Sequence, residues 1–258
     1  MKKIRVLTAI ATAILLSVSL NAYADTISGG VPDSDLTARQ LRDGASGIHF
    51  IDLDSFISGS GWITSWSIFA QSSIVPDWVA NFESRQVGLM IYRNNGSGYT
   101  VVGESPLETI PAGASAWDRI YTFSDLGTGI QVQQGDLLGW YYPFQGADSG
   151  PNPGGYPYYP NDTNPGGVIA FDKILVSQDG HNVRWKGLWG SQQPPELAVG
   201  DSVAYSWFDS GPESEGGLGR IYSLNVSGST NPVPVPPSLL LLGSGLLGLE
   251  GWRRFRKS

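Results

Sequence analysis

The chain has 258 residues, with 16 Lys+Arg against 23 Asp+Glu, 34 glycines and no cysteine. The lack of cysteine excludes disulfide staples, thiol nucleophiles and Cys-ligated metal centres. Three of the bases lie in residues 1–24, and four bases with one acid lie in residues 231–258. That leaves nine bases against 22 acids in between, a balance that repels nucleic acid and anionic lipid, so no nucleic-acid partner is expected.

Taken in order, the chain opens on Lys2, Lys3 and Arg5, followed by an apolar run over residues 6–20 and the small-x-small sequence Ala22-Tyr23-Ala24. This is the pattern of a cleaved secretory signal peptide over residues 1–24, with Ala22 and Ala24 as the cleavage residues. Residues 25–230 are then one domain. A two-turn helix is expected over residues 34–41, capped by Ser34 or Asp35. After it, short runs rich in β-branched and aromatic residues recur every ten to twenty positions between Gly, Pro, Asn and Asp. In residues 61–70 the period of two places Trp62, Thr64, Trp66 and Ile68 on one face, and packing in the core is expected for Trp62, Trp66 and Trp140. Residues 86–104 read as a hairpin with a long loop, Asn95-Gly96 supplying positive φ. Further strands are expected over residues 48–53, 119–123, 129–132, 136–142, 167–171, 201–207 and 219–226. No internal repeat suggests a propeller. The pattern points to an all-β fold, a single jelly-roll-type β-sandwich. Residues 145–167 form a Pro/Gly-rich connection long enough to be functional.

Catalytic signatures are missing: the chain carries no Gly-x-Ser-x-Gly, His-Glu-x-x-His or P-loop pattern. His49, in a strand, reads as a surface or satisfied core histidine, and His181, after Asp179-Gly180, as a solvent-exposed turn residue. Glu104 with Glu108, and Glu213 with Glu215, are carboxylate pairs close in sequence. Glycoside hydrolysis would need one such pair set across a sugar. Asp33-Ser34-Asp35 and Asp52-Leu53-Asp54 put two carboxylates on one side of an extended chain. With loop carbonyls, Asp52 and Asp54 could hold a structural calcium; no other cofactor is expected. Tyr156, Tyr158 and Tyr159 alternate with prolines that keep them out of a sheet. Flat rings beside Asn and Asp suit stacking on sugars, and these three are the candidate glycan-binding residues.

The C-terminal stretch has three parts. Residues 231–238 form a Pro-rich spacer that cannot join a sheet. Residues 239–252 are a Leu/Gly run, a transmembrane helix shorter than the roughly 20 residues of a full span. Residues 253–258 are a basic tail that stays cytoplasmic. Behind a signal peptide, this order resembles the PEP-CTERM family of exported bacterial proteins. The resemblance rests on Val233, Pro234, Val235 and Pro236, the Leu/Gly run, and Arg253, Arg254, Arg256 and Lys257. It covers about a tenth of the chain. The family pattern has Glu between the prolines where this chain has Val235, and Glu250 interrupts the apolar run.

The resemblance implies a Gram-negative bacterium and an exosortase partner at the inner membrane that processes the tail. Transient anchoring would precede delivery to the cell surface or exopolysaccharide. Residues and resemblance together predict an exported, non-enzymatic, glycan-binding or matrix-structural protein. The rival is a secreted carbohydrate-active enzyme on the same scaffold.

Overall fold

The computed structural model describes residues 26–39, 41–42, 47–72, 84–143, 167–187, 196–208 and 211–230. The leader with Ala22 and Ala24, the connection holding Tyr156, Tyr158 and Tyr159, and the tail with its sorting residues all lie outside these. The described chain is all-β. Its strands are β1 (Thr26–Gly30), β2 (Leu41–Arg42), β3 (Ile48–Phe56), β4 (Gly61–Ala70), β5 (Arg85–Asn94), β6 (Gly98–Glu104), β7 (Glu108–Ile110), β8 (Arg119–Phe123), β9 (Ile130–Val132), β10 (Leu137–Tyr142), β11 (Ala170–Leu175), β12 (Val183–Lys186), β13 (Ser202–Ala204), β14 (Leu218–Tyr222) and β15 (Leu224–Ser229). Among the described residues no helix is long and apolar enough to cross a membrane.

One sheet runs β1-β15-β4-β8, with β9 also on β4. The second runs β12-β3-β10-β5-β6-β13, with β7 on β5. A three-stranded sheet runs β14-β11-β2. The described pairings are antiparallel. The third sheet joins the first where the Ser223 amide donates to the Ala170 carbonyl at 2.7 Å and the Ser223 carbonyl accepts from Phe69 at 3.1 Å.

The first two sheets share one core. Ile27, Ile63, Trp66, Ile68, Leu224 and Val226 from the first meet Phe50, Val87, Leu89, Ile91, Leu138 and Trp140 from the second. Sandwich packing of this kind buries alternate residues of each strand. In β5 both faces are covered: Val87, Leu89 and Ile91 point inward, while Met90 and Tyr92 join a second cluster on the outside with Tyr141, Leu197 and Phe208. This explains the almost continuous apolar run of that strand.

Four sequence expectations need correction. Residues 34–41 form no two-turn helix; a 3₁₀ turn spans Asp33–Ala38 and the chain then enters β2. Residues 219–226 are not one strand, because the chain breaks at Ser223 and serves two sheets. Residues 201–207 are strand only over Ser202–Ala204, with a 3₁₀ turn at Tyr205–Trp207. The hairpin over 86–104 forms, but its loop is short: Asn94 pairs with Tyr99, and of the turn residues only Gly96 has positive φ.

The face assignment in β4 also changes. Thr64 is an extra residue, since Ser227 pairs with Ser65 and Gly228 with Ile63. Such a bulge reverses which face the following residues occupy. Ile63, Trp66 and Ile68 therefore all enter the core, while Trp62, Ser65 and Ser67 point outward and Trp62 stays partly exposed.

Candidate functional site

The turn before β12 folds back over β3 and brings Asp52, Ser55 and His181 together. The Ser55 hydroxyl donates to Asp52 Oδ2 at 2.7 Å, and His181 Nδ1 lies 2.8 Å from the same oxygen. The Asp54 amide donates to Asp52 Oδ1 at 3.0 Å, and the Asn182 amide to Asp54 Oδ2 at 2.7 Å. Asp52 and Ser55 are buried. The hydrogen bond with Asp52 pushes the His181 pKa above its usual value; burial and Arg39 oppose this, and the charges of Asp52 and Asp54 add to it. His181 is therefore a half-buried ion-pair partner rather than an exposed turn residue. Ser55 gives its proton to Asp52, so this trio is not laid out as a nucleophile whose hydroxyl is taken up by a histidine base. Asp52 and Asp54, the calcium candidates, both accept from protein donors. Among the described residues no three His, Asp or Glu side chains converge as metal ligands.

Other deeply placed charges among the described residues also have partners. Asp136 receives Arg93 Nε and Nη2 at 2.8 Å each, and the Gln133 amide at 2.7 Å. Glu215 receives Arg220 in fork geometry, with Lys173 at 3.2 Å. Burial alone would raise the Glu215 carboxyl, but the Arg220 and Lys173 contacts outweigh it and hold it below the ordinary range. The Arg220 guanidinium also lies over the Phe171 and Trp185 rings, at 4.7 and 4.4 Å to their centroids. Arg42 is fully buried over Trp117 and donates to the Gly167 carbonyl. Burial, with Arg85 close by, lowers its pKa to about 10.

The proposed carboxylate pairs separate. Glu213 turns to Arg184 at 3.4 Å while Glu215 turns to Arg220. Glu104 is raised by burial and by Glu196 and Asp201, whereas Glu108 is raised by burial and by Asp125, so the two feel different neighbours. Asp33 accepts from the Asn225 amide at 2.6 Å, and Asp35 from the Ser34 hydroxyl at 3.0 Å.

Sequence reasoning missed an aromatic layer on the outside of the second sheet. His49, fully buried, stacks on Tyr141 at 4.2 Å and meets the edge of Trp207 at 5.5 Å. Tyr92, Tyr99 and Phe208 continue the layer. At its rim Tyr205 is 41% exposed and donates to Asn94 Oδ1 at 2.6 Å, beside a Thr100–Ser202 hydroxyl pair at 2.7 Å. The signal available was the period-two alternation of His49, Ile51 and Leu53. What covers that face, residues 196–208, comes from far along the chain.

No family model matches the chain, and comparisons with curated proteins and with solved structures find no match.

The arrangement therefore has to be read from its own chemistry. Buried carboxylates are tied to cations and hydroxyls, and the aromatic rim mixes neutral groups, Tyr205, Asn94, Thr100 and Ser202, with the exposed carboxylates of Glu104, Glu196 and Asp201. That combination can hold a polar, uncharged ligand by stacking and hydrogen bonds.

Proposed function

We propose that this is an exported, non-catalytic protein built on a jelly-roll-type β-sandwich, sorted by an exosortase to the cell surface or exopolysaccharide, where it binds glycan or forms part of the matrix. The strand order supports the jelly-roll reading. The sheets β1-β15-β4-β8 and β3-β10-β5-β6 are filled alternately as the chain runs β1, β3, β4, β5, then β6, β8, β10, β15, as two intertwined Greek keys require.

One observation carries the non-catalytic reading. The two buried carboxylates among the described residues, Asp52 and Asp136, are each spent on a structural cluster. A general acid or base needs a carboxyl within reach of its substrate. The sorting half rests on Val233, Pro234, Val235, Pro236, the apolar run and the basic end at Arg253, Arg254, Arg256 and Lys257. Intact-mass measurement of protein extracted from the cell surface is expected to show a chain starting at Asp25 and lacking the basic end. A surface form that retains Lys257 defeats the sorting half. A glycan array probed with the full chain, with and without calcium, tests the binding half.

The enzyme reading keeps one observation in its favour: the raised Glu104 carboxyl, beside Glu196 and Asp201 at the edge of the aromatic layer. Release of reducing sugar from any polysaccharide by the wild type, lost in Glu104→Gln, would select it over binding.

A further inference from the structure

The outer face of the first sheet has a composition unlike the rest of this acidic chain. The bulge at Thr64 turns Trp62, Ser65 and Ser67 outward. Register then aligns them with neighbours of one kind. Trp62 stands between Ser229 and Gln131, Ser65 opposite Ser227, and Ser67 between Asn225 and Thr122. No ionisable side chain occupies any of these positions, in a domain with nine bases against 22 acids, and the nearest charge is Asp33, which accepts from the Asn225 amide at one end of the face.

We propose that this face is a docking platform for an extended, uncharged polysaccharide, with Trp62 as the stacking ring. The proposal rests on the glycan-binding reading above and places the contact on a different surface. The hydroxyls are paired across strands, Ser65 with Ser227 at 2.7 Å and Ser67 with Thr122 at 2.9 Å. A hydroxyl has one donor and two acceptor sites, so the Ser65–Ser227 pair uses one donor internally and keeps one donor and several lone pairs for a ligand, while Ser67 is buried and its pair offers the exposed Thr122 hydroxyl. A sugar polymer offers the same mixed donors and acceptors along its length. Alternate residues on a strand repeat about every 6.7 Å and strands lie about 4.8 Å apart, so polar groups recur at these spacings on either side of the bulge at Thr64. None of these positions carries a cation to recognise phosphate or uronate, and the surrounding negative charge, Asp33 at Asn225 included, repels anionic polymers. A neutral polymer is thus the occupant whose charge fits.

The test is native-gel retardation of the full-length chain, purified in mild detergent, by hydroxyethyl cellulose, dextran, galactomannan and alginate. Retardation by at least one neutral polymer and not by alginate is expected. Trp62→Ala and Ser227→Lys should each weaken it on the order of tenfold, the effect of losing one central aromatic contact, with an unchanged melting temperature for Ser227→Lys. Retardation that both variants leave intact overturns the platform while the glycan reading survives. Retardation by none of the polymers overturns both, and a preference for alginate overturns the assignment of a neutral ligand. Sedimentation showing that Ser227→Lys splits a dimer without changing retardation would make the face a contact between copies, and would also overturn the platform.

Discussion

His181 sits under opposing influences, and their balance makes it a pH-dependent clamp between β3 and the turn before β12. The Asp52 hydrogen bond raises its pKa, burial and Arg39 lower it, and the outcome is a rise above the ordinary histidine value of about 6.5. A group whose folded pKa exceeds its unfolded one stabilises fully below the unfolded value and loses that contribution as pH rises through the folded value. His181→Ala is therefore expected to cost about 1.5–3 kcal/mol at pH 6, in the range of a hydrogen bond to a charged group, and distinctly less at pH 9. Thermal melts of both proteins at the two pH values measure this. Equal losses at both would show that the imidazole acts by packing alone. Arg93 and Asp136 make the complementary case. Asp136 is 2% exposed and Arg93 35%, so removing the arginine leaves a buried charge behind. Arg93→Ala is expected to cost about 3 kcal/mol. Asp136→Asn should cost less, since an amide oxygen can still accept from the Gln133 amide. Urea unfolding of both variants ranks them.

At the scale of strands, the distance between the sheets is set where a side chain is missing. A Cβ on Gly103 in β6 would lie 2.1 Å from Ile130 Cγ2 in β9, so the second sheet approaches the first only because that atom is absent. Gly103→Ala is expected to destabilise by about 1–3 kcal/mol through overpacking. In the Gly103→Ala/Ile130→Ala pair the loss should fall short of the sum of the single losses, because the second change removes the colliding methyl. Denaturation midpoints of the four proteins give the coupling. Such contacts were not legible in the sequence, and the reason is common to every correction. Period-two runs announced β3, β5, β10 and most of β4, because alternation follows from which residues leave water. Thr64 gave no local sign of being a bulge, yet it moves Trp62 from the expected core to the surface. The break at Ser223 is equally silent, since both halves are strands and only pairing with β11 and β4 separates them. His181 was misread because its partner lies 129 residues away. The clusters Asp52–Ser55–His181 and Arg93–Asp136 are products of long-range pairing, whereas the charge poverty of the β4 and β15 faces was already present as Ser, Thr and Asn in the sequence.

Across the whole molecule, the last described strand closes the fold. β15 lies between β1, the first strand, and β4, and its Leu224 and Val226 fill the shared core. Its backbone pairs with Thr26–Gly30 on one side and with Trp62 to Ile68 on the other. Without it, β1 has no partner strand, and the face of the core above Trp66 opens to water. The sandwich can therefore be completed only after residue 229 is available, immediately before the Pro-rich spacer. A chain ending at residue 231 is expected to unfold cooperatively with the melting temperature of the full-length protein, because the pairings of β15 with β1 and β4 are complete at Ser229. A chain ending at residue 222 loses β15 entirely. It removes two strand pairings and two buried aliphatic side chains, each worth about 1.5–3 kcal/mol of burial, from a domain whose whole stability is of the order of 5–15 kcal/mol. It is expected to show no cooperative transition. Circular dichroism melts of the two truncations decide the matter: a cooperative transition in the shorter chain would mean that the second sheet, with its covering segment 196–208, folds as a unit without the first.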